Sequence, residues 1–257
     1  MKRIAGLVTG AGGFLGLEHC KSILDLNQIL VMLDINFSKL NKNYKLLRSI
    51  YSHGIILKFK CDITNEKSVK NIKKKLSNYF VRTVINNAAI DSKPKNIKNN
   101  KANLLLGWDQ EFSVGLKAPY IIIECFKDSM IKNKDGCIIN IASDLSIIAP
   151  NQEIYKGVYK NFTKPLSYSV IKHGIIGLTK YYAVELAKFN ITCNAISPAG
   201  VYNNHEKKFI SNIKKLIPMN RMANKHDIKN TIDFLINKKQ KFITGQNIVI
   251  DGGRTIL

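Results

Sequence analysis

The chain has 257 residues, 45% of them apolar, enough to bury a sizeable core without disulfide or metal staples. Its net charge of +22 comes from 35 lysines and only 5 arginines, beside 27 asparagines, in scattered clusters without a nucleic-acid recognition motif; this excludes a specific nucleic-acid surface and leaves a solvated lysine exterior or attraction of a phosphorylated or otherwise anionic substrate. No apolar run approaches the about 18–20 residues that span a bilayer, so no membrane partner is expected.

Met1-Lys-Arg runs straight into an apolar strand, Ile4–Val8, so no targeting leader is expected ahead of the fold. Thr9-Gly-Ala-Gly-Gly-Phe-Leu-Gly16 follows and opens a helix over Leu15–Leu26. A strand, a glycine turn and a helix together form the setting that cradles a dinucleotide's pyrophosphate. Gly10 permits the tight turn, Gly12 and Gly13 leave room for the phosphates, and Gly16 allows close helix–strand packing. The helix N-terminus offers its N–H groups to the anion. A second strand, Ile29–Leu33, ends at Asp34, about 20 residues past the glycines, where a carboxylate hydrogen-bonds a free ribose 2′-OH and repels a 2′-phosphate. With no arginine nearby, the expected cofactor is NAD rather than NADP. A helix over Ser38–Ser52 and a third strand, Ile55–Phe59, lead to Asp62. That carboxylate either accepts from the adenine amino group or caps the helix of Glu66–Tyr79.

The pattern continues with a strand at Thr83–Ile85, a lysine-rich polar loop at 93–101, a helix over Trp108–Ile131 and a strand at Gly136–Ile141. A helix over Ser167–Phe189, a strand at Ile191–Ile196, helices at Glu206–Leu216 and Lys225–Asn237, and a strand at Ile248–Ile250 complete it. Near-continuous apolar strands separated by helices predict a parallel sheet covered on both faces, in one unit spanning 1–257. The Ser167–Phe189 helix is apolar around most of its circumference, which implies a second buried face and hence a partner subunit. Cys20, Cys61, Cys125, Cys137 and Cys193 contain no C-x-x-C pair and read as buried free thiols in a reducing, cytoplasmic compartment; no metal site is expected.

Within that helix, Tyr168 and Lys172 stand one turn apart on the same face. An ammonium held there stabilises a phenolate and lowers a tyrosine pKa from about 10 towards neutrality, making Tyr168 a candidate general acid/base for a hydroxyl proton. Tyrosine and lysine at this spacing also arise by chance on amphipathic helices; the glycine turn upstream gives the pair its weight.

Together with Asn86-Asn-Ala-Ala89, Ser143, Asn194-Ala-Ile-Ser-Pro198 and Thr244-Gly-Gln…Asp251-Gly-Gly253, these motifs resemble, in order and over nearly the whole length, the short-chain dehydrogenase/reductase family. The resemblance implies an α/β, Rossmann-type doubly wound sheet of about seven parallel strands with helices on both faces, assembled as a homodimer or homotetramer. It implies Tyr168 as acid/base, Lys172 as the group that lowers its pKa and binds the nicotinamide ribose, and Ser143 as the holder of the substrate oxygen. Asn86 to Ala88 brace the sheet beside the adenine ribose, and Phe14, Leu15, Ile63, Asn87, Ala88, Pro198 and Val201 join the cofactor set.

Three departures stand out. The glycine spacing is that of the family's extended branch, with Phe14 where the short branch has glycine, although the short C-terminal region belongs to the short branch. The family's relay asparagine aligns with Gly115. Ser143 and Tyr168 are separated by about a dozen residues more than usual, through a segment 149–164 in which Tyr155, Tyr159 and Phe162 alternate with Lys156, Lys160 and Lys164. This segment is either a subunit-contact loop or a grip for an anionic substrate. Gly115 with Ser143-Asp-Leu-Ser-Ile-Ile-Ala-Pro150 further resembles a subgroup acting in bacterial surface-sugar and flagellin modification, including routes to nonulosonic acids. The expected reaction interconverts a secondary alcohol and a ketone with NAD, on a sugar phosphate or nucleotide sugar. The alternatives are a 3-oxoacyl-carrier-protein reductase and a non-catalytic NAD-binding regulator.

Overall fold

A computed structural model of the protein describes residues 2–90, 101–159 and 162–257, the side chains of 101–106 excepted. Seven strands, β1 (Arg3–Thr9), β2 (Ile29–Asp34), β3 (Ile56–Lys60), β4 (Tyr79–Asn86), β5 (Gly136–Ile141), β6 (Ile191–Pro198) and β7 (Asn247–Ile250), form one sheet in the order β3-β2-β1-β4-β5-β6-β7. Every neighbouring pair is parallel. The strands bury both faces because successive side chains point to opposite sides. Leu7, Val31 and Leu33 enter one core with α3 (Glu66–Lys75), α5 (Ala118–Asn133) and α6 (Leu166–Ala187). Val8, Leu30 and Met32 enter the other with α1 (Phe14–Asp25), α2 (Phe37–Ile50) and α8 (Lys225–Ile236). The doubly wound expectation holds, and strand order reverses between β1 and β4, where such sheets open a ligand crevice at the carboxyl ends of their strands.

Local boundaries depart from expectation in two places. The helix expected to reach Tyr79 ends at Lys75, because the Leu76 N–H closes the last turn onto the Ile72 carbonyl and Tyr79 is taken into β4. The helix expected from Trp108 begins at Lys101 as α4 (Lys101–Phe112) and passes through a π-turn, Ser113–Lys117, before α5. The polar loop expected at 93–101 otherwise lies outside the described residues.

All five cysteines are buried and free, and burial pushes the Cys61 thiol up to about 11. Among the described residues no helix is long and apolar enough to cross a membrane. On α6, Ile171, Ile175, Tyr182 and Leu186 are buried, whereas Leu166, Tyr181 and Val184 remain 71%, 65% and 82% exposed. The second apolar face read from the sequence is therefore present and uncovered within one chain. Beside it, a groove of about 530 Å³ is lined by Trp108, Phe112, Leu116, Tyr120 and Leu178.

Candidate active site

The glycine turn leaves β1 at the switch point, and its glycines are sterically required. Gly10 has φ +63°, and a β-carbon there would lie 2.8 Å from Ala88 Cα. One on Gly16 would meet the Gly10 carbonyl oxygen at 2.2 Å, and one on Gly12 would meet Asp34 Oδ2 at 2.9 Å. Gly13 is the N-cap of α1, which starts at Phe14; no side chain caps it, so the first-turn N–H groups stand ready for an anion. Leu15 lies in the same first turn. The Thr9 hydroxyl accepts from the Asn87 and Ala88 N–H groups at 3.0 and 3.1 Å, and the Asn87 amide donates to the Thr9 and Gly10 carbonyls at 3.0 and 3.2 Å. Asn87 and Ala88 thus brace the turn itself, while Asn86 bonds across the sheet to Asn140 at 2.8 Å. A cradle that a β-carbon would fill, at the head of a helix and at the switch point, fits a dinucleotide.

Asp34 ends β2 and already serves the turn: Oδ2 accepts from Gly12 N–H at 2.9 Å and Oδ1 from Asn36 N–H at 2.8 Å. A carboxylate offers about four lone-pair sites, so capacity for a ribose hydroxyl remains. Asp62 does not cap α3, a correction to one of its two readings. Asn65 does, accepting from Ser68 N–H at 3.1 Å, while Asp62 Oδ1 takes the Thr64 N–H and hydroxyl at 2.9 and 2.7 Å. Asn65 stands directly before Glu66, in the position whose side chain reaches the exposed N–H groups of the first turn. Ile63 is buried beside it, and Pro198 and Val201 flank the carboxyl end of β6, on the same edge of the sheet as the glycine turn.

Tyr168 sits in the first turn of α6. The buried Lys172 ammonium donates to the Ile141 carbonyl at 2.8 Å, tying the helix to the last residue of β5, two positions before Ser143. One turn back, the Lys172 nitrogen is 5.5 Å from the centre of the Tyr168 ring. Ser167 adds a buried hydrogen bond to Glu111 of α4, fixing the start of the helix. The short turn Asp144–Ser146 after Ser143 packs on α6, the helix that carries Tyr168 and Lys172.

The position aligned with the relay asparagine, Gly115, lies in the π-turn, and a β-carbon there would stand 2.5 Å from Ile171 Cγ2. The space for a side chain is filled by a methyl group. In the 149–164 segment, Lys156 is exposed in an ion pair with Glu153, and Lys160 lies outside the described residues. Lys164 reaches the site, its ammonium 3.8 Å from the centre of the Tyr168 ring, on a backbone clamped by the Gln152 amide at 2.8 and 3.2 Å. The aromatic residues turn inward instead: Tyr155, Tyr159 and Phe162 pack with Phe209, Ile213, Ile217 and Met222 around α7 (Lys207–Lys214).

Sequence reasoning also passed over Asp144 and Arg254, a buried ion pair adjoining Ser143. The available signal was an aspartate directly after the serine and an arginine directly after Asp251-Gly-Gly253; their 110-residue separation concealed the pairing.

A family model described as enoyl-(acyl carrier protein) reductase matches residues 15–255. A 3-oxoacyl-[acyl-carrier-protein] reductase from Buchnera aphidicola is 31% identical, covering 98% of this chain and 97% of that protein. Post-translational flagellin modification protein A from Campylobacter coli is 29% identical, covering 96% of each. The crystal structure of a short chain dehydrogenase from Leptospira borgpetersenii with bound NAD+ superposes with a TM-score of 0.82 at 27% identity, over 99% of this chain and 93% of that one. With residues 15–255 matched by the family model and 99% of the chain superposed, the chain belongs to the short-chain dehydrogenase/reductase family of nicotinamide-dependent oxidoreductases.

Proposed function

We propose that this protein is a cytoplasmic, single-domain, homo-oligomeric NAD-dependent oxidoreductase that interconverts a secondary alcohol and a ketone on a sugar phosphate or nucleotide sugar for surface-glycan synthesis. The observation that carries the chemistry is the Lys172–Ile141 bond, which holds the ammonium at the carboxyl end of β5, 5.5 Å from the centre of the Tyr168 ring. Lys172 favours the Tyr168 phenolate, which removes the hydroxyl proton of the substrate while Ser143 holds the oxygen. A dinucleotide held by the glycine turn would supply the hydride acceptor. Lys164, poised over the Tyr168 ring, supports an anionic substrate, and the likeness to the flagellin modification protein supports a surface-sugar setting. Two observations favour other details. The net charge of +22 and the Buchnera relative fit a 3-oxoacyl group on an acidic carrier protein. Lys39, packed beside Gly12 and Asp34, is a cation that a 2′-phosphate would meet.

The decisive experiment measures turnover of sugar phosphates, nucleotide sugars and a 3-oxoacyl thioester with each cofactor. We expect oxidation of a sugar substrate with NAD+ preferred at least about tenfold, and a loss of about 10²–10⁴ in rate for Tyr168→Phe with NAD+ affinity intact by calorimetry. Equal affinities for NAD+ and NADP+ would sink the cofactor assignment. A Tyr168→Phe variant near wild-type rate would sink the chemistry.

A further inference from the structure

We infer that Arg254 and Asp144 form a positioning pair for Ser143, through which the C-terminal turn fixes the oxygen-holding end of the site. This rests on the reading of Ser143 as the residue that holds the substrate oxygen. Ser143 leaves β5 in an extended conformation, and its hydroxyl donates to Asp144 Oδ1 at 2.8 Å while accepting from Leu145 N–H at 3.2 Å. Asp144 Oδ1 also accepts from Leu145 N–H at 2.9 Å. The other oxygen, Oδ2, receives Arg254 Nη1 at 2.5 Å, with the two side chains 4% and 6% exposed. A carboxylate so buried is unfavourable unless it is paired and hydrogen-bonded, and here both oxygens are occupied. The pair brings no net charge beside Tyr168, where a phenolate must form.

The turn that delivers Arg254 is built for that purpose. After β7, Asp251 Oδ1 accepts from Gly253 N–H at 2.9 Å and Oδ2 from Thr255 N–H at 2.6 Å. Gly252 and Gly253 have φ of +65° and +91°, and a β-carbon on Gly252 would lie 2.8 Å from Ile217 Cγ2. The backbone is thereby locked on both sides of Arg254, and the side chain is directed inward. The serine hydroxyl is held by its sequence neighbours Asp144 and Leu145, and Asp144 is held in turn by Arg254, 110 positions away. Neither Asp144 nor Arg254 is assigned contact with substrate; they act through Ser143.

The test compares wild type with Arg254→Met, Arg254→Lys, Asp144→Asn and the double variant Asp144→Asn/Arg254→Met. The double variant removes both charges together and so avoids stranding a buried one. Oxidation of ethyl 3-hydroxybutyrate with NAD+ and reduction of ethyl acetoacetate with NADH give kcat and KM. NAD+ affinity, melting temperature and crystal structures accompany them. We expect Arg254→Met and the double variant to lose roughly ten- to a hundredfold in kcat, with NAD+ affinity unchanged, Arg254→Lys substantially restored, and the Ser143 side chain displaced. Wild-type kcat in the folded double variant, or a Ser143 hydroxyl unmoved in both variants, overturns the inference. A wild type inert toward both compounds, with Ser143 displaced in the variants, counts against the 3-oxoacyl alternative and leaves the positioning role supported.

Discussion

His19 shows how a single side chain ties stability to pH. It lies fully buried in the helix that follows the glycine turn, and desolvation, opposed by the Glu18 charge and Asn87, holds its pKa down to about 4. The unfolded chain binds a proton below its ordinary value near 6.5, while the folded chain does not until about 4. Stability from this group is therefore complete above pH 6.5 and falls as the pH drops towards 4, by about 2–3 kcal/mol at pH 4.5. Urea unfolding at pH 4.5 to 7 should show this decline in wild type and a flatter profile in His19→Met; parallel profiles would remove His19 from the account. Asp34 and Asp62 carry a different residue-scale lesson. Both were read for ligand contacts, and both prove to organise the backbone where the ligand would sit.

At the scale of elements, the π-turn between α4 and α5 holds Gly115, the residue that aligns with the family's relay asparagine. An extra residue in one helical turn bends a helix and often marks a site, and here it brings Gly115 against Ile171 of α6. Gly115→Asn should force the two helices apart, costing about 1–3 kcal/mol as overpacking and lowering activity through Tyr168 on the same helix. Gly115→Asn/Ile171→Ala should recover most of the melting temperature. If the single variant melts with wild type, Ile171 does not fill that space. In the 149–164 segment the aromatic residues pack with α7, and Lys164 stands over Tyr168.

At the scale of the molecule, Leu166, Tyr181 and Val184 form an exposed apolar face on α6, the helix whose Leu178 also lines the groove with Trp108 and Phe112. Tyr181→Glu/Val184→Glu should lower the mass measured by light scattering and reduce the melting temperature by several degrees. An unchanged mass would place any subunit contact elsewhere. The C-terminal turn that reaches Ser143 links whole-molecule architecture to a single hydroxyl, since its arginine meets a residue 110 positions earlier.

Near-continuous apolar runs and helical hydrophobic patterns determined the seven strands, their alternation with helices and the two-faced character of α6, because burial of apolar side chains dictates those patterns locally. The glycine turn and the Tyr168–Lys172 pair were legible because close backbone approach and one-turn spacing are written into adjacent residues, whereas Ser143 rested on the family resemblance. Only the folded chain decided that Asn65 caps α3, that Ile171 occupies the Gly115 space, that Lys156 turns to solvent while Lys164 covers Tyr168, and that Arg254 pairs with Asp144. The last three depend on which elements the sheet order brings together, and the cap depends on exact backbone angles at the helix start. Neither is encoded in the spacing of nearby residues.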